Sequence, residues 1–388
     1  MMLSICSLLF TAAMGGTPLS LGPDSLGRQS PTAQQGLRDF ARKRRLLLGT
    51  EVPLRNLREN ADGGRFAETV SSNFDFVELE NEFKPPAVWK GPRDYDFAAG
   101  DFLLGEPGKI GWAQEHKLRV RGHVLLYASD NGYTLPQWIR GAQGDVSKEE
   151  ASAMLHDYIF AVAGRYRGKI AMWDVVNEAI DDRPNNGNRF NLRNSYWFRK
   201  LGPEFLVLTF KWAHEADPKA QLYYNDYSVE AGGEKGKQML ALGQWLKEQR
   251  TGITGLGLQY HIDCRTKIEP GDGHYGFVED IRKLGLSYMI TELDVAVPVQ
   301  PKPFGDPDYG ILPKDAADLD RQADVYASVF RMALSSRNCH GVQVWGFTDK
   351  YSWIPGFSRG RNGAALLFDK DYTPKPAYKA VEAVLQGK

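Results

Sequence analysis

Short apolar runs recur along this chain, and longer amphipathic stretches fill the gaps between them. Runs of this length, bounded by polar and glycine-rich positions, read as buried strands. Eight stand out: Arg45–Glu51, Asp75–Leu79, Arg119–Leu126, Ile170–Asn177, Ala220–Asn225, Ile253–Gln259, Ser287–Glu292 and Gly341–Gly346. The stretches between them carry helical spacing. Residues 148–166 place Met154, Tyr158, Val162 and Tyr166 four apart, and 235–249 and 319–335 behave alike. Pro374-Lys375-Pro376 opens a last helix through Gln386, with proline where a helix tolerates it. The basic run Arg42–Arg45 reads as a helix end favoured by the macrodipole rather than as a binding patch.

Eight alternating strand–helix units predict an α/β fold, a (β/α)8 TIM barrel forming a single catalytic domain over residues 36–388. The rival is a doubly wound open sheet, which wants a glycine-rich phosphate loop after its first strand. Gly49 stands alone there, and GLGLQ (255–259) ends a strand instead of opening a helix. The same absence argues against a nicotinamide or phosphate enzyme. Residues 1–35 read as a signal peptide and linker. Leu3–Met14 has the length of a signal-peptide apolar region, followed by small residues, although no Lys or Arg precedes Arg28. A secreted or periplasmic location is expected.

Composition narrows the partners. Lys+Arg and Asp+Glu both number 48, so neither nucleic acid nor a membrane surface is an expected partner. A monomer is expected. Nine Trp and seventeen Tyr supply flat apolar faces suited to sugar rings, although aromatics dominate ordinary cores as well. Cys264 follows the sixth strand at one end of the barrel and Cys339 precedes the eighth at the other. Opposite ends of strands lie beyond the ~7 Å Cα limit for a bridge, so no disulfide is expected.

In such a barrel the reactive groups sit at the C-terminal ends of the strands. Those ends are polar here. Strand two gives Glu78, Glu80, Asn81 and Lys84, and strand three gives His123. Strand four runs MWDVVNEAI (171–179) into Asn177-Glu178. Strand five ends in Asn225-Asp226-Tyr227, strand six in Gln259 and His261, strand seven in Glu292-Leu293-Asp294, and strand eight in Trp345, with Trp353 beyond. The pattern contains no H-E-x-x-H and no serine nucleophile with a local base. Two glutamates on strands four and seven face each other across the mouth. A lone strand-end glutamate is most often a surface ion pair. A facing pair among six other polar strand ends suits glycoside hydrolysis, in which one carboxyl group protonates the leaving oxygen while the other attacks or activates water.

The segments ENEFK (80–84), RGH (121–123), WDVVNEA (173–179), YNDY (224–227), GLQYH (257–261), TELDV (291–295) and WGFTDKYSW (345–353) resemble, in order and spacing, the motifs of glycoside hydrolase family 10, the endo-β-1,4-xylanases. The resemblance covers residues 38–385. It implies a retaining mechanism on xylan, with Glu178 as acid/base and Glu292 as nucleophile, and neither cofactor nor metal. It further implies that Asn177 holds the 2-hydroxyl, that His261 bonds Glu292, and that Asp294 orients His261. Glu80, Asn81, Lys84, His123 and Gln259 would grip the substrate, Trp345 and Trp353 would wall the site, and Tyr127 and Tyr227 would support it.

The chain departs from the family pattern in four places. Tyr127-Ala128 stands where the family shows Trp-His, Asp130 where it shows Gln, and Pro85 where a Trp follows the Lys of ENEFK. The family often pairs a cysteine before strand eight with one six residues upstream, where this chain has Ala333. The first three changes leave open a related β-glycan hydrolase with shifted specificity. A catalytically weak carbohydrate-binding barrel is the remaining alternative, which the intact Glu178–Glu292 pair disfavours.

Overall fold

A computed structural model describes residues 35–141, 146–184 and 186–388 of the chain. The expected leader falls almost wholly outside them. The eight barrel strands are β1 (Leu47–Val52), β2 (Phe76–Leu79), β3 (Arg119–Tyr127), β4 (Met172–Asn177), β5 (Gln221–Asp226), β6 (Gly255–Leu258), β7 (Ser287–Pro298) and β8 (Cys339–Val344). Each pairs in parallel with its sequence neighbours, and β8 pairs with β1 to close the ring. The architecture is a (β/α)8 TIM barrel.

The helices follow the strands in turn. After α1 (Leu37–Lys43) come α2 (Arg65–Asn73), α3 (Ala98–Leu104), α4 (Lys148–Arg165), α5 (Glu204–Ala216), α6 (Gly233–Glu248), α7 (Gly273–Lys283), α8 (Ala317–Ser335) and α9 (Pro376–Gln386). Their starts are chemically marked. Ser147 caps α4 by accepting the Glu150 N–H, and the Glu150 carboxylate accepts the Ser147 N–H in return. Pro376 opens α9, where a missing N–H costs nothing. The run Arg42–Arg45 does end a helix, α1, and Arg42 pairs with the buried Asp75. Asn73 ties α1 to α9: its Oδ1 accepts both the Leu37 N–H and the Tyr378 hydroxyl.

The barrel interior is layered. Near the strand N-termini, Phe76, Met172, Tyr223 and Met289 form an apolar plug separate from the larger core between strands and helices. Burying each such side chain contributes about 1.5–3 kcal/mol. Gly49 makes room for it, since a Cβ there would lie 2.2 Å from the Phe76 ring. The next layer is ionic. Arg121, fully buried, donates to Glu78 from one guanidinium nitrogen and to Asp174 from the other, and His123 faces Asp174 at 2.8 Å. A buried charge is tolerable only when paired in this way.

Two strand limits differ from the sequence reading. The sixth strand stops at Leu258, because Tyr260 takes a left-handed conformation (φ 62°), and the chain resumes as a short outer strand, His261–Asp263. The seventh does not end at Glu292. It runs on to Pro298, pairing Asp294 with His261 and, further out, Val297 with Gly363. The alternating valines 295 and 297 are buried by that extension. Cys264 and Cys339 are both free thiols.

Candidate active site

Asn177 is the last residue of β4, and Glu178 turns the chain with φ 54°. A non-glycine residue in that region costs about 1–3 kcal/mol and persists only where its surroundings hold it. The holders are visible: the Glu178 N–H donates to the Asn225 carbonyl (2.9 Å) and the Ala179 N–H to the Tyr224 hydroxyl (3.0 Å). The turned carboxylate accepts, at Oε1, from Gln259 (3.0 Å), from its neighbour Asn177 (3.3 Å) and from the Tyr127 hydroxyl.

Glu292 is 5 % exposed. Its Oε1 accepts from Asn225 Nδ2 (2.7 Å), and its Oε2 lies 3.2 Å from His261 Nε2. The other nitrogen of His261 meets Asp294 Oδ2 at 2.9 Å, and Trp353 Nε1 donates to that same oxygen at 2.9 Å. Burial alone would neutralise the imidazole, but Asp294 and Glu292 outweigh it and lift His261 well above its ordinary pKa. It therefore donates from both nitrogens. Burial likewise opposes ionisation of Glu292. The hydrogen bond from His261 and the charges of His123, His261 and Arg121 overcome it and hold the carboxyl at about 2.

Asn225 joins the two glutamates. Its Nδ2 serves Glu292 and also Asn177 Oδ1 (2.9 Å), and its Oδ1 accepts from Thr291 (2.7 Å). Gly257 leaves space for that amide: a Cβ would fall 2.3 Å from Asn225 Oδ1. The two carboxylates thus belong to one hydrogen-bonded network spanning β4, β5 and β7.

The remaining residues singled out in the sequence surround this pair. His123, 2 % exposed, lies in the ionic layer beneath it, with Trp345 edge-on at 5.6 Å. Trp345 also meets His261 edge-on (6.3 Å), and Trp353 packs against His261 (5.0 Å). Beyond β2, Lys84 donates to Asn81 Oδ1 (2.9 Å), while burial pushes the Glu80 carboxyl up against the opposing pull of Lys84. Among the described residues no hydrogen bond joins this group to Glu178 or Glu292. Tyr227 sits in another rim cluster. Its hydroxyl contacts Arg193 (2.7 Å) and Asp182, and Lys235 lies 3.6 Å over its ring.

Sequence reasoning left several groups without a role. Glu51 ends the first strand candidate, and burial together with Glu80, Glu82 and Glu78 raises its carboxyl well above the ordinary range. Asp226 is pushed by burial to about 6 against the pull of Lys235, which reaches it from α6 at 2.9 Å. Asp130, one of the departures from the family pattern, accepts the Tyr196 N–H (2.7 Å) and pairs with Arg199 (2.8 Å). Glu78, His123 and Asp174 approach one another closely enough for a cation, but the Arg121 guanidinium already pairs with both carboxylates.

This chemistry has relatives. The chain is 33 % identical to endo-1,4-beta-xylanase B of Thermotoga neapolitana over 332 residues, covering 84 % of this chain and 85 % of that one. The native xylanase 10B of Thermotoga maritima superposes with a TM-score of 0.78 at 35 % identity, over 91 % of this chain and 98 % of that one. The xylanase 10B of Thermotoga petrophila, solved with xylobiose, superposes with a TM-score of 0.79 at 34 % identity, over 91 % and 97 %. The family model for glycosyl hydrolase family 10 matches residues 36–384, and the chain belongs to that family.

Proposed function

We propose that this protein is a retaining endo-β-1,4-xylanase that cleaves internal bonds of xylan by double displacement. The observation that carries the reading is the network joining an ionised Glu292 to Glu178 through Asn225, Asn177 and Gln259. Glu292, kept charged by His261, attacks the anomeric carbon of a xylose unit. Glu178 gives its proton to the departing glycosidic oxygen, and that C–O bond breaks as the glycosyl ester forms. Glu178, now a carboxylate, takes a proton from water. The water oxygen bonds to the anomeric carbon, and Glu292 leaves. Two inversions at one carbon retain its configuration.

In this reading Asn177 bonds the sugar 2-hydroxyl, a contact that strengthens in the transition state. Glu80, Asn81, Lys84, His123 and Gln259 grip the flanking sugar, Trp345 and Trp353 wall the site, and Tyr227 supports it. The relatives support xylan as substrate: those named above are xylanases, and one was solved with xylobiose. In this reading residues 1–35 are a signal peptide and linker, and 36–388 the catalytic domain. Among the described residues no helix is long and apolar enough to cross a membrane.

The test is reducing-sugar release from soluble xylan, with mixed-linkage glucan and carboxymethyl cellulose alongside, for wild type and E292A. Xylan cleavage lost in E292A is the expected result. Glucan cleavage in place of xylan cleavage overturns the substrate. An initial product of inverted configuration, read by proton NMR, overturns the mechanism.

A further inference from the structure

Three donors converge on one oxygen of Glu178. Tyr127 Oη, Gln259 Nε2 (3.0 Å) and Asn177 Nδ2 (3.3 Å) all reach Oε1. Oε2 makes no hydrogen bond to a described residue. The two amide nitrogens can only donate. Burial, then the charge of Glu178, raises the Tyr127 phenol well above its ordinary value, so it too stays protonated and donates. An oxygen surrounded by three donors has no place for a proton of its own.

We infer that Tyr127 is a positioning residue that confines the Glu178 proton to Oε2, the oxygen left free for the glycosidic bond. The inference rests on the proposed role of Glu178 as acid/base. In the first step the Oε2–H bond breaks as the proton moves to the leaving oxygen, and the carboxylate charge that appears is taken up at Oε1 by the three donors. In the second step Oε2 accepts a proton from the attacking water, while the phenolic proton remains on Tyr127 throughout. The family pattern to which this chain is similar places a Trp here, a side chain with no hydroxyl to set on the carboxyl group.

The charged and titratable groups around Glu178 come from three strands and one helix: Tyr127 from β3, Asp226 from β5 with its partner Lys235 from α6, and Glu292 from β7. Gln259, after β6, is neutral. Removing the phenol therefore removes a donor to the anion while the negative neighbours remain.

The experiment compares wild type, Y127F, E178Q and the double variant on two aryl β-xylobiosides, one with a dinitrophenol leaving group and one with unsubstituted phenol. Y127F is expected to slow the phenol substrate about tenfold and the dinitrophenol substrate little. It is also expected to move the basic limb of kcat/KM upward by about one pH unit, the size of one hydrogen bond to a charged group. In the E178Q background the same substitution is expected to change little. Equal loss on both substrates with an unmoved basic limb overturns the inference, as does a full effect of Y127F on top of E178Q. If E178Q itself shows no leaving-group dependence, the assignment of Glu178 as the acid falls and takes the inference with it. Should Y127F melt early, fluorotyrosine at position 127 keeps the ring and strengthens the donor. It is expected to move the basic limb downward, and an unmoved limb overturns the inference.

Discussion

His261 offers the sharpest test of how the nucleophile is kept charged. Glu292 is buried, and burial by itself favours the neutral acid. His261 supplies two of the opposing influences, a hydrogen bond to Oε2 and a positive charge, while Arg121 and His123 supply charge from below. His261→Ala removes the first two and leaves burial in place. The Glu292 carboxyl, held at about 2 in the wild type, is then expected to rise by about two units, to about 4. At pH 3 the ionised fraction falls from about nine-tenths to about one-tenth, an almost tenfold loss beyond any pH-independent cost. The sign is fixed: a group needed as an anion loses activity as pH falls through its pKa, so raising that pKa moves the acid limb upward. The assay is kcat/KM on an aryl β-xylobioside from pH 2.5 to 7, with circular dichroism at each pH to verify folding. A His261→Ala profile that stays as flat from pH 7 down to pH 2.5 as the wild type's refutes the reasoning.

Other substitutions probe the supports of the site. Gly257→Ala places a methyl 2.3 Å from Asn225 Oδ1, and overpacking of this kind costs about 1–3 kcal/mol; a lowered Tm together with a lowered kcat is expected, and an unchanged kcat would show that the Asn225 amide tolerates displacement. Arg121→Met strands two buried carboxylates, at a cost of about 3–5 kcal/mol. With an unfolding entropy of about 2.1 cal/mol/K per residue over roughly 350 ordered residues, Tm should fall by about 4–7 °C in a thermal melt. Trp353→Phe keeps an aromatic wall but removes the indole N–H from Asp294, and a three- to tenfold drop in kcat/KM is expected from the loss of one hydrogen bond.

Most of the barrel could be read from the chain because buried parallel strands are written as near-continuous apolar runs, and each run found a strand within a few residues. The misreadings share a cause. Nothing local marks Tyr260 as the break in the sixth strand, since its left-handed backbone is imposed by what packs around it. The extension of β7 beyond Glu292 was hidden because polar Glu292 and Asp294 look like a strand end, although Val295 and Val297 continue the alternation. The glutamates and His261 were legible as polar strand ends. Arg121 was within reach as well, since it stands two residues before His123 on the same strand face and shares its partner Asp174. The contacts that tune the site were not. Tyr127 reaches Glu178 across a strand boundary, and Lys235 reaches Asp226 from a helix, so both depend on stagger and packing that no local spacing encodes.

The ionic layer has a consequence for the conditions under which this barrel can work. Arg121, Glu78 and Asp174, all fully buried, lie between the apolar plug below and the site above, out of reach of dissolved ions. Mobile salt weakens interactions between exposed charges over about 8–10 Å at ordinary ionic strength, but it screens groups enclosed in protein far less. The share of the Glu292 charge that Arg121 holds in place is therefore wired into the interior, and that share should hold from dilute buffer to brine. The rim, where Asp182 and Arg193 meet the solvent, and His261, partly open to the cleft, are left to respond to salt.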